Sequence, residues 1–172
     1  MRLFLFIMTT LIAAAGTKAE PIKELAALAP FTGKTWRSVS GSVDGSADFS
    51  DVSKWEWTLG GRVVRITHSV NQGAYAGESL IHWDDVKEKI IFRYVTTAGF
   101  YTDGVISATD GGIEVHEIVG GAKSGPSETL SGYSVRDGRL YTWAKIKANG
   151  EWSEISETVY EQAPGAEVVF PQ

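Results

Sequence analysis

Three histidines and no cysteine leave this chain a narrow choice of chemistry. A thiolate nucleophile, a disulfide and a sulfur metal site are all excluded. What is left is an imidazole and the carboxylates that can be brought beside it, a pairing suited to acid–base work or to orienting a polar ligand group. His68 is the candidate imidazole, and Glu117 and Glu157 are the candidate carboxylates, because strand parity turns all three toward one buried face. Trp55, Trp57, Tyr75, Phe92, Tyr94, Phe100 and Tyr133 share that face. A carboxylate is costly in a core unless it is paired or hydrogen-bonded, so these residues predict a wet or ligand-lined cavity with aromatic walls.

The other polar clusters read as surface. His82 leads into Trp83-Asp84-Asp85 at the end of a strand, where a charged turn is solvated, and the sequence predicts no metal site there. His116, between Glu114 and Glu117, falls on the outer face. There is no nucleophile elbow, no histidine pair at metal spacing and no phosphate-cradling loop, so the sequence names no reaction.

The parity comes from the stretch Trp55–Trp83. Gly60-Gly61 suits a hairpin turn that needs φ > 0, and pairing Leu59 with Arg62 sets Trp57 opposite Val64, Trp55 opposite Ile66 and Ser53 opposite His68. A second hairpin at Gln72-Gly73 sets Val70 opposite Tyr75, His68 opposite Gly77 and Ile66 opposite Ser79. Both turns yield one apolar face, the agreement a true register requires. Asp110-Gly111, Asp137-Gly138 and Asn149-Gly150 are further type I′ pairs. Around the last of these, Ala144 is expected opposite Ile155, Thr142 opposite Glu157 and Leu140 opposite Val159. Tyr141, Trp143, Trp152 and Tyr160 then form an outward aromatic stripe, either cross-strand pairing or a surface for a homodimer.

Ten strands are expected, near 34–43, 52–59, 62–71, 74–83, 89–96, 99–108, 112–119, 127–136, 139–148 and 151–161. Sequential hairpins with an alternating inner face close most economically into an all-β, up-and-down antiparallel barrel. Ahead of them Pro21–Ala29 carries Ile22, Leu25 and Leu28 at helical spacing and stops at Pro30, a short helix expected to lie across one end of the barrel. With 172 residues and 43 % apolar content, residues 20–172 are expected to form one domain.

Residues 1–19 read as a signal peptide. Arg2 precedes an apolar run from Leu3 to Ala15, too short to span a bilayer, and Ala19 offers a small residue for cleavage before Glu20. The expected location is therefore periplasmic or secreted. A net charge of −5 without a basic stripe argues against a nucleic-acid partner.

Three sequence pieces carry a family likeness: Phe31-x-Gly33-x-x-Trp36, Trp57-x-Leu59-Gly60-Gly61-Arg62, and Tyr75-x-Gly77 running on to Leu80-Ile81-x-Trp83-Asp84. On these the chain resembles small, largely uncharacterised bacterial lipocalin-like barrel proteins. The resemblance implies a calycin-like barrel, and in the lipocalin opening the tryptophan packs at the barrel base, a role that would fall to Trp36. It brings no settled activity. Ten strands are also similar to haem-binding barrels of the nitrobindin kind, which use a late-strand histidine; none follows His116 here, so no cofactor is expected. The function expected is an exported binding barrel for a small hydrophobic or amphipathic ligand. The alternatives are an acid–base enzyme using His68 with Glu117 or Glu157, and a packed interaction module using the outer aromatic stripe.

Overall fold

The structure, a computed structural model, describes residues 20–40 and 49–171. The proposed signal peptide therefore lies outside the described residues, as does most of the Gly/Ser/Asp-rich stretch before Asp51. Among the described residues eleven strands follow one another: β1 (Lys34–Ser40), β2 (Asp51–Thr58), β3 (Val63–Val70), β4 (Tyr75–Asp84), β5 (Lys89–Thr96), β6 (Tyr101–Thr109), β7 (Gly112–Gly120), β8 (Glu128–Arg136), β9 (Arg139–Ala148), β10 (Glu151–Trp152) and β11 (Ser156–Gln162). Every pairing is antiparallel, and the order β9-β11-β1-β2 continues through to β8, which pairs back with β9. Ten strands thus close an up-and-down barrel, and two-residue β10 is an extra piece on β9. Closure leaves no unpaired edge around the barrel.

The register of the first two hairpins follows from the sequence pattern. Trp55 pairs with Ile66, Ser53 with His68, His68 with Gly77 and Val64 with Ile81. The turns themselves are wider than two residues. Leu59, Gly60 and Gly61 all take positive φ (45°, 65° and 82°), so Thr58 and Val63 are the last pair. The loop grows symmetrically about Gly60-Gly61, which leaves every side chain on its expected face. Gly61 has a second duty: a Cβ there would sit 2.6 Å from the Glu20 carbonyl oxygen, and its own carbonyl accepts a hydrogen bond from Ile22 N.

That contact docks the N-terminal segment across the barrel end formed by the β2–β3 turn. Lys23–Leu28 is a 3-10 helix, with Leu25 N bonded to Ile22 O and Ala29 N to Ala26 O. Between Pro21 and Pro30 there is too little chain to nucleate an α-helix, and the tighter turn suffices. Leu25, Leu28, Phe31 and Trp36 have no exposed surface. Trp36 Nε1 donates to Phe31 O at 3.0 Å, so the indole is both buried and satisfied. These four side chains plug the near end, and the apolar core continues from them through Trp55, Val64, Ile81, Ile90, Ile106, Ile113 and Leu140.

One strand departs from expectation, and the departure moves functional residues. The hairpin at Asn149-Gly150 forms as the sequence predicts, with Ala148 opposite Glu151 and Lys147 opposite Trp152. Beyond it the pairing jumps: Ala144 faces Ser156, Thr142 faces Thr158 and Leu140 faces Tyr160. The expected continuous strand 151–161 is broken by one extra residue, a β-bulge opposite Lys145. Ser153 anchors the break, its N donating to Ile146 O and its Oγ accepting from Ile146 N. A single inserted residue inverts every side chain after it. Ile155 and Glu157 turn outward, whereas Thr158 and Tyr160 turn into the barrel.

Candidate functional site

The barrel encloses a cavity of about 290 Å³. It is graded along its length. Toward the plugged end its walls are Trp55, Ile66, Ile81, Phe92, Ile106, Ile113, Val115 and Leu140; toward the far end they are Asp51, His68, Tyr75, Tyr94 and Glu117. The gradient follows from strand position: Asp51 and Tyr75 begin their strands at the far end, and His68, Tyr94 and Glu117 end theirs there. Inward glycines make space for the rings. A Cβ on Gly77 would lie 2.2 Å from Tyr94 Cε2, and one on Gly104 would lie 2.4 Å from Phe92 Cε1. Both rings therefore lie over bare backbone on the neighbouring strand.

Five side chains at the polar end form one hydrogen-bonded chain. Tyr160 OH donates to Asp51 Oδ2 at 2.9 Å, and Asp51 Oδ1 lies 3.2 Å from His68 Nδ1. His68 Nε2 lies 2.6 Å from Tyr94 OH, which in turn lies 2.6 Å from Tyr75 OH. A carboxylate only accepts, so in the neutral imidazole the proton sits on Nδ1 and Nε2 accepts from Tyr94. Tyr94 has then spent its proton, and Tyr75 must donate to it. Every bond direction in the chain is thus set by Asp51. The phenols keep their protons. Burial, with the Tyr75 bond added, pushes Tyr94 far above the ordinary tyrosine range, and burial raises Tyr75 against the pull of its own hydrogen bonds. Tyr160 is raised by burial and by the Asp51 charge. Tyr133 on the opposite wall is pushed up to about 12, by burial first and the Glu117 charge second.

Glu117 stands apart from this chain. Thr102 Oγ1 donates to its Oε2 at 2.6 Å, and no described side chain bonds its Oε1. Burial raises its carboxyl, with the Thr102 bond opposing. Of the two carboxylates proposed as partners of His68, then, neither fills the role. Glu117 belongs to a separate pair, and Glu157, carried outward by the bulge, is exposed and opposite Trp143 on the outer face. Asp51 takes the place of both.

Most of the predicted lining is in place: Trp55, His68, Tyr75, Phe92, Tyr94, Glu117 and Tyr133 all border the cavity. Trp57, one pair nearer the plugged end, packs against the core instead of the cavity. Phe100, expected as a wall, lies outside the strands, does not border the cavity, and stacks on Tyr75 at 6.3 Å between centroids. The outward aromatic stripe loses Tyr160, and its other rings are engaged within the chain. Arg136 sits 4.2 Å over Tyr141, Lys145 sits 5.0 Å over Trp152, and Trp143 lies on Gly132. On the outside, His116 Nε2 meets Glu128 at 3.0 Å, and Asp84 accepts from Val86 N and Lys87 N to close its turn.

Asp51 and Tyr160 are the residues that sequence reasoning missed. Asp51 was recoverable: it lies two residues before Ser53 on the same strand, and the His68–Ser53 register carries it inward beside His68. Its place at the end of a Gly/Ser/Asp-rich stretch made it read as loop. Tyr160 carried no such signal, because its direction depends on the bulge.

Fold and cavity together define the class: a closed ten-strand up-and-down barrel with an aromatic, partly polar interior. No family model matches the chain, and no curated protein matches it in sequence.

Proposed function

We propose that this protein is a small-molecule-binding barrel that holds a partly apolar ligand in its interior. The observation that carries the reading is the cavity of about 290 Å³, graded from aliphatic walls to a hydroxyl- and carboxylate-rich end. A cavity of about half that volume is enough for benzene, so this one suits a single ring or short alkyl body with a polar head. The apolar body goes toward Ile81, Ile106 and Leu140, and the head toward Tyr75 and Glu117. Both nitrogens of His68 are already bonded within the barrel. The imidazole is thus held by Asp51 and in turn fixes Tyr94 and Tyr75 as the polar end of the cavity.

The resemblance to bacterial lipocalin-like barrels fits this reading, with Trp36 buried at the plugged end as such a resemblance implies. Arg2 and the apolar run that follows it support an exported protein, periplasmic or secreted. The test is native mass spectrometry of protein taken from its own cells, followed by denaturation to release any retained compound. A Val115→Trp variant, whose indole fills the cavity, should carry none. Equal loading of the two proteins would show that whatever is retained binds elsewhere.

A further inference from the structure

We infer that the ligand is a small amphipathic amine, its ammonium group held by Glu117 and its apolar body held against the aromatic and aliphatic walls. The inference rests on the binding reading above and names the chemistry of that same cavity. Two carboxylates, Asp51 and Glu117, border the cavity, and no lysine or arginine does. The barrel's cations are spent elsewhere: Arg65 and Lys54 on Glu56, Arg93 on Asp103, Lys147 on Glu128, all on the outer face. Among the described residues the interior therefore presents two carboxylates, one of them beside His68, and no lysine or arginine to neutralise them.

The two carboxylates are not equivalent. Asp51 has one oxygen on Tyr160 and the other near His68, so both its oxygens are engaged. Glu117 has one oxygen on Thr102 and the other turned to no described side chain. A largely buried carboxylate with one oxygen unmet by a side chain is costly unless a cation or donor meets it there. An ammonium group supplies both the charge and the donors. The rings of Tyr94, Tyr133 and Phe92 border the same space, and aromatic rings attract a cation over their faces. An anionic head group would meet the opposite of what it needs, since no cation faces it and Glu117 repels it. A neutral alcohol could bond to Glu117 or Tyr75 but would leave the charge uncompensated.

The experiment titrates the full barrel, by calorimetry near neutral pH, with three probes sharing one phenyl body: phenethylamine, phenethyl alcohol and hydrocinnamate. The amine is expected to bind at least about tenfold more tightly than the alcohol, the scale of one charge-assisted contact, with hydrocinnamate weakest. In Glu117→Gln the amine should fall to within about twofold of the alcohol measured on the same variant. An alcohol or carboxylate that matches the amine, or a preference that survives Glu117→Gln, overturns the amine assignment and leaves the cavity reading standing. Failure of all three probes to bind overturns both.

Discussion

Asp51 Oδ1 lies 3.2 Å from His68 Nδ1, two residue pairs out of step across β2 and β3, and that contact fixes the direction of every hydrogen bond from Tyr160 to Tyr75. The chain begins at an acceptor-only group, so its polarity is a consequence of one side chain.

Replacing that side chain should separate charge from hydrogen bonding. In Asp51→Asn the amide can donate to Nδ1, which moves the ring proton to Nε2 and reverses the bonds through Tyr94 to Tyr75. Nitrogen-15 shifts of His68 should show Nε2 unprotonated in the wild type and Nδ1 unprotonated in the variant. Asp51→Ala leaves the buried Tyr160 OH and the half-buried His68 Nδ1 without a partner. Denaturant unfolding should register a loss of about 1–3 kcal/mol for that variant and a smaller one for Asp51→Asn.

Glu117 gives a pH dependence of definite sign. Its carboxyl is raised in the folded state by burial. The folded barrel therefore favours the protonated form, and this stabilising contribution is complete below the unfolded value of about 4.3 and is lost as pH rises through the folded one. Glu117→Gln removes the ionisation and keeps an acceptor for Thr102. The variant should gain stability relative to the wild type as pH rises from about 4 to 7. Thermal midpoints measured across that range check it, and a gap that narrows with rising pH would contradict it.

The glycine beneath Tyr94 should tolerate no side chain. A Cβ at Gly77 meets the Tyr94 ring at 2.2 Å, and the ring's hydroxyl is what joins His68 to Tyr75. Gly77→Ala should cost about 1–3 kcal/mol by overpacking and displace Tyr94 from His68. Unfolding curves report the first effect. The second appears as a changed His68 ring resonance, which a purely local strain at Gly77 would leave in place.

Spectrophotometric titration should find the cavity phenols silent. Tyr75, Tyr94, Tyr133 and Tyr160 are all raised by burial. Tyr133→Phe should therefore leave the absorbance step near pH ~10 unchanged and reduce only the step that follows alkaline unfolding. A smaller step near pH ~10 in the variant would place Tyr133 in contact with solvent.

The legibility of this chain tracks the locality of its signals. Tight turns and period-two alternation carry the barrel, and Trp55 and His68 fall inside because each lies within a few residues of a glycine-marked hairpin. The widening of the Gly60-Gly61 and Gln72-Gly73 loops is harmless because it is symmetric. Glu157 and Tyr160 were misplaced because a single residue beyond Trp152 is bulged out, and the hydroxyl that anchors the bulge, Ser153, resembles any strand serine in sequence. The pairing of His68 with Asp51, and of Glu117 with Thr102, depends on side-chain reach across strands, which parity alone does not encode.

The most direct test of the account is methyl NMR of the barrel titrated with phenethylamine. The methyls of Ile81, Ile106, Ile113, Val115 and Leu140, which border the cavity or pack deep in it, should shift together in one saturable transition. Those of the exposed Leu59, Val86 and Ile155 should stay where they are. Shifts confined to the exterior methyls, or no saturable shift in the interior set, would contradict a ligand held inside the barrel.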